Sequence, residues 1–157
     1  MIDKPKKTIG RADRVDLPEH GLFGVPAKVD TGAKTSAVWA SNAHVRGDLL
    51  VFTFFGPESP LYTGEEHTAV DFEQVAVSSS SGHTEVRYKL PLLLKVRGKK
   101  IRANFTLADR SQQAYPVLIG RNALRGKFLV DVKRGRPDRQ SEQERRNELR
   151  SKREQAT

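Results

Sequence analysis

Residues 27–37 read AKVDTGAKTSA, and what Asp30-Thr31-Gly32 does within them decides what kind of chain this is. GVPAKVD at 24–30 reads as a strand that runs into the Asp-Thr-Gly turn. One reading makes Asp30 a turn residue whose carboxylate caps its own backbone, with Thr31 and Gly32 as turn formers. The other makes it a carboxylate that activates water. Hydrolysis by aspartates needs two carboxylates facing one water, sharing a proton so that one acts as base and the other as acid. Their titration then belongs to the pair. Asp48, Asp71, Asp109 and Asp131 lie in other contexts, and none repeats a strand ending in Asp-Thr-Gly. On the catalytic reading the partner is Asp30 of a second chain, brought to a twofold axis in a homodimer.

Outward from that turn, the middle of the chain reads as strands. LPLLLKV at 90–96 sets Leu90, Leu92, Leu94 and Val96 on one side, and KKIRANFTL at 99–107 does the same with Ile101, Ala103, Phe105 and Leu107. Pro91 suggests an edge position or an irregularity. LLVFTFFG at 49–56 is aromatic and β-prone, closed by Gly56-Pro57. A tight Gly-containing turn at Gly98-Lys99 links two strands. Only Arg121–Gly126, after VLIG, hints at a helical turn inside the domain. Short strands between turn signals predict an all-β domain, a closed barrel or sandwich.

Length and charge set the limits. The 157 residues suit one compact domain. Residues 1–7 are polar and read as a flexible N-terminus. Residues 133–157 hold nine Lys/Arg against five Asp/Glu, about +4 of the formal +9, with Leu149 as the single strongly apolar residue. That tail is expected to be disordered or a frayed, solvated helix. The ordered domain is expected over 8–132. With no cysteine, thiolate metal sites, disulfides and thiol nucleophiles are excluded. No run approaches ~18 apolar residues, so no membrane contact is expected and the localisation expected is cytoplasmic. A sequence pI near 10.0 favours acidic partners such as nucleic acid, a ribosome surface or polyglutamate.

AKVDTGAKTSA, SSSGH at 79–83 followed by an acidic residue, and LIGRNALRGKFLVD at 118–131 occur in that order. Together they resemble the retropepsin-like aspartic peptidases. The likeness is closest to a small family long labelled "ATP-dependent zinc proteases", often encoded beside RimK-type glutamate ligases. It runs from Ile9-Gly10-Arg11 to Asp131 and leaves the tail outside. The resemblance implies a homodimeric, metal-independent aspartic peptidase with Asp30 as the catalytic carboxylate. It implies that Thr31 and Gly32 hold the loop, that Ala33 and Lys34 border the site, and that Gly120 packs against it with Arg121 in support. An acidic substrate, glutamate-rich or glutamylated, is what the neighbouring ligases imply.

Several of these residues also have plainer readings. Lys34 and Lys28 can attract an anionic substrate or belong to a solvated strand face. Ser80, Ser81, Gly82 and His83 can offer donors to a substrate carboxylate from a loop over the site, or form a hairpin turn. Glu85 can orient His83 or sit in an exposed strand pair. The place before SSSGH that is often basic in the family holds Ser78 here. No cofactor is expected. The histidines at 20, 44, 67 and 83 have no metal-site spacing, and no GxxxxGK[ST] stretch exists for ATP. A retropepsin-like module that binds acidic peptides without hydrolysis, or a protein held to ribosomes or nucleic acid by its basic tail, remain alternatives. Their tests are turnover and salt dependence.

Overall fold

The computed structural model describes residues 5–78, 81–135, 146–147, 149–151 and 153–155. The strands are β1 (Lys7–Ile9), β2 (Ala12–Leu17), β3 (Leu22–Asp30), β4 (Ser36–Arg46), β5 (Leu49–Phe54) and β6 (Glu66–Ala69). They continue with β7 (Glu73–Ser78), β8 (Thr84–Val96), β9 (Lys99–Ala108), β10 (Val117–Gly120) and β11 (Phe128–Val130). One helical turn, α1 (Arg121–Leu124), follows β10 directly.

Neighbouring strands run β10-β3-β2-β8-β9-β4, and β10 pairs again with β4, which closes the ring. The barrel expected from the sequence is therefore present. β5 and β6 extend it beyond β4, β7 pairs with the outer half of β8, and β1 pairs in parallel with β11. The period-two residues point inward. Leu90, Leu92, Leu94 and Val96 of β8 meet Ile101, Phe105 and Leu107 of β9, with Val25, Ala27 and Val29 of β3 and Val117 and Ile119 of β10, all at most 8% exposed. Burial at about 1.5–3 kcal/mol per large aliphatic side chain is what holds the ring. Pro91 pairs with Asn104, and on its other side it falls in the gap between the parts of β8 that β7 and β2 cover. That is the irregularity the proline signalled.

Three features were not legible in the sequence. A 3-10 turn at Pro18–His20 joins β2 to β3, too short to show any hydrophobic period. The packed body continues past 132: Asp131 N–H donates to Ile9 O (2.9 Å) and Arg11 N–H to Arg134 O (3.0 Å). A methyl group on Gly10 would collide with the Arg134–Gly135 backbone. The described tail residues from 146 onward are helical, as one of the two expected states had it, but Leu149 is only 6% exposed rather than solvated. One buried leucine contributes about 2 kcal/mol toward seating a helix whose composition alone promises nothing. Among the described residues no helix is long and apolar enough to cross a membrane.

Histidines far apart in sequence also meet. His20 Nδ1 and His67 Nδ1 lie 3.1 Å apart, beside Phe52 and Phe54. One ring must donate and the other accept, so two charged rings do not fit. Burial lowers both pKa values from 6.5, and His67 lowers that of His20 further. With native values depressed, the unfolded chain takes up protons first as pH falls below 6.5. Stability from this pair is thus full above that pH and is lost as pH falls through the lowered native values. The thermal midpoint is expected to drop between about pH 7 and about pH 5, and His67→Phe should flatten that slope. An equal slope in both proteins would contradict the role of the pair.

Candidate active site

β3 delivers Asp30 to the surface, and β10 supports it from behind. The two strands run in parallel with Gly120 opposite Asp30 and Ile119 opposite Val29. Gly120 N–H donates to the buried Ser36 Oγ (3.0 Å). Arg121 N–H donates to Ala33 O (2.8 Å) and Asn122 N–H to Lys34 O (3.2 Å). Amides at the start of α1, which no helical carbonyl can satisfy, are thus used to hold the loop at 31–35. The Arg121 side chain adds Nη1 to Gly32 O (3.1 Å), so it braces the loop. Gly120 has to lack a side chain, because a Cβ there would lie 2.6 Å from Thr35 C and 2.8 Å from Thr35 O.

Asp30 is half-buried, and its Oδ1 accepts from Gly32 N–H at 3.0 Å. The turn-capping contact is therefore real. It also fixes the plane of the carboxylate, leaving Oδ2 with no hydrogen-bond partner among the described residues. Thr31 and Gly32 are exposed. Other aspartates are engaged elsewhere: Asp13 pairs with Arg97 (3.3 Å), Asp16 caps Gly24, Asp109 caps Ser111 and Asp131 caps Lys133. Among the described residues the chain thus shows one braced, outward-facing loop of this kind, with Asp30 as its carboxylate.

Arg110 is a residue that the motifs did not reveal. It is held by Nε donating to Tyr115 O (2.9 Å). Burial is the main cause lowering its pKa, the neighbouring Arg87 lowers it further, and Asp30 opposes both. It therefore stands within electrostatic reach of both Arg87 and Asp30. Arg87 reaches Thr106 Oγ1 (3.4 Å) from β8. The only sequence sign was a lone arginine just after a long strand, which carries no specificity.

The remaining expected residues lie in several places. Ala33 is half-buried in the loop and bonds through its backbone to Asp30 O and Arg121. Lys34 is exposed and lines a cavity of about 440 Å3 with Lys89 and Arg102. Lys28 lines a different one. The serine loop is the tip of the β7–β8 hairpin, where Ser78 pairs with Thr84. Ser80 lies outside the described residues. Ser81, Gly82 and His83 are exposed, and Gly82 takes the left-handed φ of 86° that the bend requires. Glu85 does not orient His83; its carboxylate holds Arg87 at 3.1 Å. Among the described residues no group of three or more His, Cys, Asp or Glu could hold a metal ion.

Comparison with known proteins bears on this geometry. The family described as RimB-like, "Retropepsin-like aspartic endopeptidase RimB", matches residues 8–140. A protein named "Probable alpha-L-glutamate ligase" from Desulfotalea psychrophila is 29% identical over 140 residues, which is 82% of this chain and 29% of that protein. One of the same name from Parasynechococcus marenigrum is 30% identical over 138 residues, 80% of this chain and 28% of the relative. The chain spans less than a third of the length of these curated relatives. The crystal structure of a Legionella pneumophila protein of unknown function superposes with a TM-score of 0.65 at 23% identity, covering 83% of this chain and 97% of the other. At that identity the likeness concerns the fold alone.

Proposed function

The chain belongs to the RimB-like family of retropepsin-like aspartic endopeptidases, and from that premise we propose that it is a homodimeric aspartic peptidase acting on acidic proteins. The observation that carries the reading is the Asp30-Thr31-Gly32 surface loop, half-buried at Asp30 and held from behind by Gly120 and Arg121, which presents one carboxylate where two are needed. In a twofold dimer the two Asp30 side chains share one proton and flank one water. The ionised carboxylate takes a proton from the water as its oxygen attacks the peptide carbonyl carbon. The protonated one gives its proton to the carbonyl oxygen. When the C–N bond breaks, the proton held by the base passes to the leaving amine, while the other carboxylate takes a proton back from a hydroxyl of the gem-diol, which leaves the carboxylic acid and restores the shared proton. Thr31 and Gly32 keep the carboxylate in place, Ala33 and Lys34 border it, and Ser81, Gly82 and His83 offer donors from the hairpin tip.

Relatives named as glutamate ligases support glutamate-rich or glutamylated substrates, since in those proteins a stretch like this one shares a chain with glutamate chemistry. The basic surface of the chain fits such a substrate. A second reading, a module that binds acidic peptides without cutting them, is favoured by the bond that already engages Asp30 Oδ1. Mass spectrometry of a peptide with a glutamate tail, incubated with the protein in EDTA, separates the two. The peptidase reading expects glutamates to be lost at a rate that the chelator does not change, by a chain that sediments as a dimer. Binding without turnover by a monomer would overturn it.

A further inference from the structure

A cavity of about 620 Å3 lies between the start of β2, the end of β3, the 110–115 loop and the C-terminal helix. Six cationic side chains line it: Arg11 from the bend before β2, Lys28 from β3, Arg110 from the loop, and Arg146, Arg150 and Arg153 from the helix. No carboxylate lines it among the described residues. The helix residues are spaced i, i+4 and i+7, so they share one face with Leu149, whose burial turns that face toward the barrel. Like charges gathered around one void repel each other, and a bound polyanion relieves that repulsion.

The place of the cavity points to its ligand. Lys28 and Val29 line it, and Asp30 is the next residue on the same strand. Arg110 belongs to the cavity and also feels the Asp30 charge. An extended peptide that left the cavity would reach the carboxylate within one or two residues, at about 3.3 Å per residue. Among the described residues Tyr115 is the only aromatic in the lining, so they offer no row of rings on which bases could stack. We propose that the barrel and the C-terminal helix together form a binding site for a run of carboxylates on the peptide substrate, which makes the basic tail a substrate-binding arm of the same chain.

This deepens the acidic-substrate reading above and rests on it, yet it is measured without any cleavage. The probe is a fluorescein-labelled peptide ending in a run of glutamates, titrated by anisotropy into the full chain carrying Asp30→Asn. Arg150 and Arg153 are exposed, so their replacement does not disturb the core. Arg150→Glu with Arg153→Glu is expected to weaken binding by about tenfold or more, Arg150→Gln with Arg153→Gln by a smaller factor, and the glutamine version of the peptide should bind weakly to all. Equal affinity for the glutamate peptide before and after charge reversal would overturn the inference. So would a single-stranded oligonucleotide of equal charge that binds more tightly and is lost in the same variant. If the wild-type chain never cuts but binding still falls on reversal, the peptidase reading fails and the arm stands. If cutting persists while binding ignores the reversal, the arm fails alone.

Discussion

Replacing Asp30 with asparagine is expected to reduce peptide hydrolysis by about a thousandfold or more while leaving the fold as it is. Asparagine has the same shape as aspartate, and its Oδ1 can still accept from Gly32 N–H, the bond that fixes the turn in the native chain. What it cannot do is take a proton from water. A thousandfold corresponds to about 4 kcal/mol of transition-state stabilisation, in the range expected when one of two cooperating groups is lost. Since Asp30 is half-buried at a surface loop, the exchange opens no cavity in the core. The check is the rate of peptide cleavage beside a thermal melt: a melt like that of wild type with activity gone is the expected pair of results. Full activity in a folded Asp30→Asn chain would remove this residue from the chemistry.

A second large effect is expected at Gly120, this time on stability. A Cβ there would sit 2.6 Å from Thr35 C, 2.8 Å from Thr35 O and 3.0 Å from Ser36 N, all backbone atoms that no rotamer change can move aside. Gly120→Val therefore has to push β10 away from β4 or displace the loop that carries Asp30, breaking the Gly120 N–H to Ser36 Oγ bond on the way. Overpacking of this kind, together with an orphaned buried donor, costs about 3 kcal/mol or more. A drop of about 10 °C in the thermal midpoint follows for a domain of this size. On the peptidase reading, any chain that remains folded should cut poorly, because the strain falls on Thr35 and Ser36 at the end of the loop that carries Asp30. An unchanged midpoint would mean that β10 does not thread behind the loop as described.

What could be read from the sequence was local. The Leu90–Val96 and Ile101–Leu107 alternations announced strands with one buried face, because a period of two needs no knowledge of what lies opposite. Asp-Thr-Gly at 30–32 announced a turn, because those residue types favour one, while the close approach at Gly120 was what the family resemblance implied. What could not be read depends on ring closure and on the turns between elements. Arg110 comes near Asp30 only because the β9–β10 connection folds back along β3. His20 and His67 meet across 47 positions, which no spacing rule spans. Lys34 follows Asp30 closely in sequence, yet it lines a cavity apart from Lys28, because the parity of a strand does not carry across the turn that ends it. By composition alone, Leu149 is too little apolar surface to order a tail. That estimate holds for a free segment and fails when a folded surface offers the leucine a place to dock.

The pairing of Asp30 with its copy can be tested most directly by mixing. Wild-type and Asp30→Asn chains are combined in varying ratio at fixed total concentration, allowed to exchange, and assayed by mass spectrometry for loss of glutamates from a tailed peptide. If each site needs Asp30 from both chains, activity falls as the square of the wild-type fraction, and an equal mixture retains about a quarter. If activity falls in simple proportion, so that an equal mixture retains about half, one chain suffices and the shared site is contradicted.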